Sequence, residues 1–136
     1  MKKILFVLML LVVTTIDAQT SSSINYRATA FALAKINPNT GYYDWDDWQK
    51  SEVIMSFITY QGYRFIRINS EVIQTYMLTE CIKQGRDTDN KEITEFNAID
   101  SKNNNCQIRF KAQDTGYHLY IDYSDWAWVY NIIKCQ

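Results

Sequence analysis

The chain is 136 residues long, 47% hydrophobic and 21% charged, with 14 basic against 15 acidic side chains. That length holds one domain around one core. The apolar fraction and a formal charge of -1 exclude a disordered chain, four Gly and a single Pro exclude a collagen-like or linker-rich one, and the missing basic excess argues against a nucleic-acid binder.

At the start, Lys2 and Lys3 precede an unbroken apolar run over residues 4–13, followed by Thr14, Thr15, Ile16, Asp17 and Ala18. This is the pattern of a secretory signal peptide over residues 1–18. The run is too short for a membrane-spanning helix, which needs roughly 20 apolar residues, so no integral membrane span is expected. Its removal deletes two Lys and one Asp and leaves 12 basic against 14 acidic residues over 19–136. Export to a periplasm or beyond makes disulfides chemically possible.

The remainder, 19–136, reads as a single all-β domain. Two-residue alternation recurs, whereas no apolar stripe of helical spacing lasts long enough for an amphipathic helix. The expected strands are 26–35, 42–48, 52–60, 63–69, 72–79, 93–99, 105–112, 117–123 and 126–134, rich in Tyr, Phe, Trp, Ile, Val and Thr. The first of these follows Ser21, Ser22 and Ser23 and also admits a capped helix. Turn-forming stretches separate them: Asn37-Pro38-Asn39-Thr40-Gly41, Gln61-Gly62, residues 100–104, Gln113-Asp114-Thr115-Gly116 and Ser124-Asp125. Residues 80–92 read as the one long loop.

The last hairpin fixes its own register. A two-residue turn at Ser124-Asp125 places Tyr123 opposite Trp126, Ile121 opposite Trp128, Leu119 opposite Tyr130 and Tyr117 opposite Ile132, all on one apolar face. A turn at Gln61-Gly62 likewise gathers Val53, Met55, Phe57, Ile66 and Ile68, although Gln is an indifferent residue for a tight turn and leaves room for a longer loop. Eight or nine antiparallel strands in sequential order favour an up-and-down meander that curls into a closed or nearly closed barrel, lipocalin-like in outline. Two packed sheets are the alternative.

The succession Trp45-Asp46-Asp47-Trp48, Arg64-Phe65-Ile66-Arg67-Ile68, residues 100–106 leading into Gln107-Ile108-Arg109-Phe110, Leu119-Tyr120-Ile121-Asp122-Tyr123-Ser124-Asp125 and Trp128-Val129-Tyr130-Asn131 resembles small uncharacterised all-β proteins of Bacteroidetes and their phages. The resemblance implies a shared fold and carries no activity. The chain departs from that pattern at Ala98, where members can hold a second Cys, so a disulfide from Cys106 across the hairpin is not implied.

Of the groups able to do chemistry, Cys81, Cys106 and Cys135 lack CxxC spacing and the only His is His118, so no zinc site, and no cofactor, is expected. If 93–99 is a strand, Cys81 and Cys135 share one end of the sheet and are the candidate disulfide. If it is a loop, Cys81 and Cys106 are, and all three reduced is the remaining option. His118, Asp122 and Ser124 lack the elbow and oxyanion signature of a catalytic triad. Residues 86–92 begin like a calcium loop, but Lys91 stands at a ligand position, so an exposed charged loop is expected. Asp44, Asp46 and Asp47 lie among Tyr42, Tyr43, Trp45 and Trp48, as carboxylates do in glycoside-cleaving sites.

Ten Tyr and four Trp exceed what a core of this size requires, and such rings contribute most at interfaces. The expected function is that of a secreted, non-catalytic domain binding a protein, a glycan or a small apolar ligand. Trp45, Trp48, Tyr120, Trp126 and Trp128 are its candidate contacts, and a small glycan hydrolase using Asp44, Asp46 or Asp47 is the alternative.

Overall fold

The computed structural model describes residues 21–135, and the expected signal peptide, residues 1–18, lies outside them. The described residues form ten strands and no helix: β1 (Ser21–Ile36), β2 (Tyr43–Trp45), β3 (Gln49–Lys50), β4 (Ile54–Tyr60), β5 (Tyr63–Ile68), β6 (Gln74–Arg86), β7 (Glu92–Asp100), β8 (Asn105–Gln113), β9 (Gly116–Asp122) and β10 (Trp126–Lys134). All pairings are antiparallel. The meander β4 through β10 closes because β1 pairs on one side with β4, from Ser21↔Tyr60 to Arg27↔Ile54, and on the other with β10, from Tyr26↔Lys134 to Lys35↔Trp126. Eight strands therefore make a barrel, not two packed sheets, and closure leaves its wall without free edges over most of its height.

The segment 26–35 is strand rather than helix, and its face changes part-way. Ala28 pairs with Ile132 but Ala30 with Asn131, so Thr29 is an extra residue. This bulge lets Tyr26 and Ala28 face inward, and Phe31 as well, although their spacing breaks period two. Of the expected strand 42–48 only β2 is extended, and β3 follows just beyond it; both pair with β1 outside the barrel and form a strap across it.

The expected loop 80–92 is mostly strand. Only 87–91 is turn, while β6 runs to Arg86 against β7. Bulges between Leu78 and Glu80 and between Cys81 and Lys83 scramble the alternation there, and residues 79–86 are all exposed. What holds this segment is its backbone ladder, a contribution that hydropathy does not register. β5 reaches only Leu78, so the far edge of β6 is unpaired, and the two bulges together with Glu80, Lys83 and Arg86 make it a poor template for another strand.

Elsewhere the registers are those of the hydrophobic pattern. Ile121 pairs with Trp128, Leu119 with Tyr130 and Tyr117 with Ile132, while Met55 pairs with Ile68 and Phe57 with Ile66. The β4–β5 turn has two residues, Gln61 at φ 50° and Gly62 at φ 82°, as a primed hairpin turn requires. Met55, Ile66, Ile68, Ile108, Leu119, Ile121 and Ile132 are fully buried and form the core of the barrel. Each contributes on the order of 1.5–3 kcal/mol relative to an exposed position. Cavities open at the two mouths of the barrel.

The candidate disulfide is not formed. In the barrel order, β6 and β10 are four strands apart by either route, so Cys81 and Cys135 belong to opposite walls, and Cys81, Cys106 and Cys135 are all free. Cys106 pairs directly with Ala98.

Candidate binding basin at one barrel mouth

The expected contact residues fall on two faces of the β9–β10 wall. Outside, the strap carries Trp45 and Trp48 over β1 and β10. Trp45 meets Tyr120 edge-on at 5.9 Å between centroids, and Trp48 meets His118 at 5.4 Å. Three strand spacings, about 14 Å, separate β2 from β9, so two large side chains must reach toward each other to span them. The outward positions beneath are small and buried: Ala32, Ala34, Ala127 and Val129. Tyr43 fastens the strap by donating its hydroxyl to the Tyr123 carbonyl at 2.6 Å. Tyr120 is further held beneath the Arg109 guanidinium, 4.2 Å from its centroid, and Arg109 in turn makes a two-point pair with Asp122 at 2.6 and 3.2 Å. Trp45 and Trp48 remain 40% and 49% exposed, so they both close the strap and face solvent.

Inside, Trp126 and Trp128 point into the mouth ringed by residues 69–73, the β7–β8 turn and the Ser124-Asp125 turn. Here a basin of about 800 Å³ opens, within the range of small-molecule sites. Its aromatic wall starts at the hairpin turn, where the Tyr123 amide donates to the Trp126 carbonyl and the two rings stack 4.3 Å apart at 12°. Trp128 follows edge-on to Trp126 at 4.8 Å. The Trp128 indole N–H is buried without a hydrogen-bond partner among the described residues. Across the mouth, Tyr76 is paired with Asp100 on β7 and donates its hydroxyl to Gln74 at 2.7 Å.

Asp100 organises the polar side. One carboxylate oxygen accepts the amides of Lys102 at 2.9 Å and Asn104 at 2.8 Å, shaping the β7–β8 turn, and the other accepts the Tyr123 hydroxyl at 2.7 Å. Burial works against its charge, but the hydrogen bonds from Asn104, Tyr123 and Lys102 outweigh it and hold the carboxyl below the usual carboxylate range. Burial raises Tyr76 and, reinforced by the hydrogen bond to Asp100, Tyr123, so both hydroxyls stay protonated. The Cys106 thiol behind them is pushed up to about 11, by burial first and the Asp100 charge second, and is a poor nucleophile at neutral pH. The basin thus offers flat rings, neutral hydroxyls, amides and two carboxylates, Asp100 and Asp125, together with Lys102.

No protein-family model, curated protein or solved structure matches the chain.

Other candidate groups lie apart. Asp44, Asp46 and Asp47 are exposed on and beside the strap, and none lines the basin. His118, held below its ordinary value by burial and then by Lys111, faces outward beneath Trp48, while Asp122 is taken by Arg109. In the 87–91 turn, Lys111 pairs with Asp87 at 2.8 Å and Asp89 at 3.2 Å, and the Asp87 carboxylate caps the amides of Asp89 and Lys91. Among the described residues no group of three His, Cys, Asp or Glu is placed to hold a metal, and no helix is long and apolar enough to cross a membrane.

Of the expected contacts, Trp126 and Trp128 line this basin, whereas Gln74, Tyr76, Asp100 and Tyr123, which line it too, are not among the residues the sequence singles out. Tyr123 was within reach, because the hairpin register already sets it beside Trp126. Asp100 and Tyr76 belong to a different hairpin, and only the curvature of the sheet brings them to the same mouth.

Proposed function

We propose that the protein is an exported, non-catalytic binding domain and that its ligand is a saccharide held in the basin. One observation carries this reading: the stacked and edge-on rings of Tyr123, Trp126 and Trp128 stand beside Asp100, Gln74, Asn105 and Lys102 in a single cavity. A sugar ring has an apolar C–H face and a hydroxyl edge. Flat aromatics cover the first, while a carboxylate and side-chain amides satisfy the second. The buried Trp128 N–H supplies a donor whose unsatisfied state costs about 1–3 kcal/mol, so an acceptor brought by the ligand is favoured there. The lip of the basin adds Val72 and Ile73, 75% and 53% exposed, whose apolar surface a seated ligand would cover. Export rests on Lys2, Lys3 and the apolar run 4–13.

The test is titration with a panel of mono-, di- and oligosaccharides, followed by calorimetry and tryptophan fluorescence. At least one saccharide class is expected to bind, with binding abolished in Trp126→Ala and retained in Trp48→Ala, whose ring lies outside the barrel. Absence of any response at millimolar saccharide, or equal loss in both variants, overturns the reading.

A further inference from the structure

The opposite mouth, where the Gln61-Gly62, 87–91 and Asp114-Thr115 turns lie, has a different chemistry. A pouch of about 340 Å³ opens there, small for a ligand site but within the usual range. Its wall is an aromatic and aliphatic funnel. Tyr26 lies 4.6 Å from Phe57, Phe57 lies 5.3 Å from Phe110, and Phe110 lies 6.2 Å from Phe96, with Leu78 and Ile24 completing the sides. Ile24 is 47% exposed at the entrance, so the apolar surface is open to solvent.

One charged side chain lines this pouch. Arg64, on β5, holds its guanidinium 4.8 Å above the Phe96 ring, and no carboxylate among the described residues pairs with it. Arg86, Lys91 and Lys111, at the turns of this mouth, each pair with a carboxylate, whereas Arg64, like several cations elsewhere on the surface, does not. The other polar side chains of the pouch wall carry hydroxyls, from Ser22, Tyr26, Thr59, Thr94 and Tyr117, with Thr59 directly across the β4–β5 ladder from Arg64. An unpaired planar cation over an apolar funnel suits a ligand with a carboxylate at one end and nothing polar at the other, because a guanidinium grips a carboxylate at two points.

We propose that this pouch is a second binding site, taking a monocarboxylate with an apolar alkyl tail: the tail enters the funnel between Phe57, Phe96 and Phe110, and the carboxylate stays at the rim on Arg64. The site is independent of the saccharide reading. It shares no residue with the basin, and all four Trp lie elsewhere.

The experiment is calorimetric titration of the protein with decanoate and with decanol, each below its aggregation limit. Decanoate is expected to bind roughly tenfold more tightly than decanol. Affinity should rise roughly fourfold for each methylene added between hexanoate and decanoate, until the pouch is full. In Arg64→Gln the preference for the acid should vanish while decanol binding persists, and Arg64→Lys should restore part of it. Decanoate should leave tryptophan fluorescence unchanged and should not compete with any saccharide. The comparison of the two ligands on the unmodified protein needs no variant to fold. Equal affinities, no binding of decanoate, an acid preference surviving Arg64→Gln, or competition with a basin ligand each overturns the proposal.

Discussion

Removing the charge of Asp100 tests the polar side of the basin. In Asp100→Asn, the amide oxygen can still accept the two backbone amides of the β7–β8 turn, but the carboxylate oxygen that receives the Tyr123 hydroxyl at 2.7 Å becomes an NH2 group. A hydrogen bond to a charged acceptor contributes about 1.5–3 kcal/mol and a neutral one about 0.5–1.5. Because Asp100 is only half-buried, solvent screening favours the lower part of that range. The expected cost of Asp100→Asn is therefore about 1 kcal/mol, that of Tyr123→Phe about 1–2, and the coupling between them in a double-mutant cycle about 1 kcal/mol. The sign of the pH dependence follows from the lowered carboxyl: its contribution is fully present above the unfolded value near 3.9 and is lost as pH falls through the folded one. Urea denaturation of the four proteins at pH 7, 5 and 3, read by near-ultraviolet circular dichroism, measures this directly, and the cycle cancels protonation of other carboxylates. A coupling under about 0.3 kcal/mol at pH 7, or one that does not shrink at pH 3, refutes the reasoning.

Gly116→Ala separates a needed glycine from a tolerant one. At φ 140° its added Cβ would lie 2.2 Å from the Ile132 carbonyl oxygen, whereas at Gly62, φ 82°, nothing lies within 4 Å. Strain of about 1–3 kcal/mol plus the forced shift of β10 should make Gly116→Ala the costlier variant in urea denaturation, against about 1–2 for Gly62→Ala. Equal losses would show that β9 does not approach β10 so closely. For the cysteines, mass spectrometry after oxidative refolding should find no disulfide within one chain, and a thiol reagent should label Cys81 first, with Cys106 blocked until unfolding. A Cys81–Cys135 linkage would contradict the barrel order.

The class of the fold was legible wherever inward and outward residues alternate without interruption. The hairpins of Tyr117 with Ile132 and of Met55 with Ile68 have the register that hydropathy alone assigns, because slipping by one residue would exchange a buried face for a mixed one. Legibility failed at bulges. Thr29 reverses the facing of β1, and the two irregularities in β6 turned a paired strand into an apparent loop. The strap was misjudged for another reason: Tyr43, Trp45 and Trp48 have the composition of barrel strands but pack on the outside, over Ala32, Ala34, Ala127 and Val129.

Composition and alternation by themselves determined an all-β chain, its neighbouring hairpins and the Trp126–Trp128 face, since these depend on residues adjacent in sequence or across one turn. Closure decided the rest. Whether Asp100 and Tyr76 join Tyr123 at one mouth, whether Arg64 stands over Phe96 at the other, and whether Cys81 can reach Cys135 depend on how far the sheet curls before β10 meets β1. That curl accumulates from the twist of every strand pair and from its bulges, so no local segment of sequence encodes it.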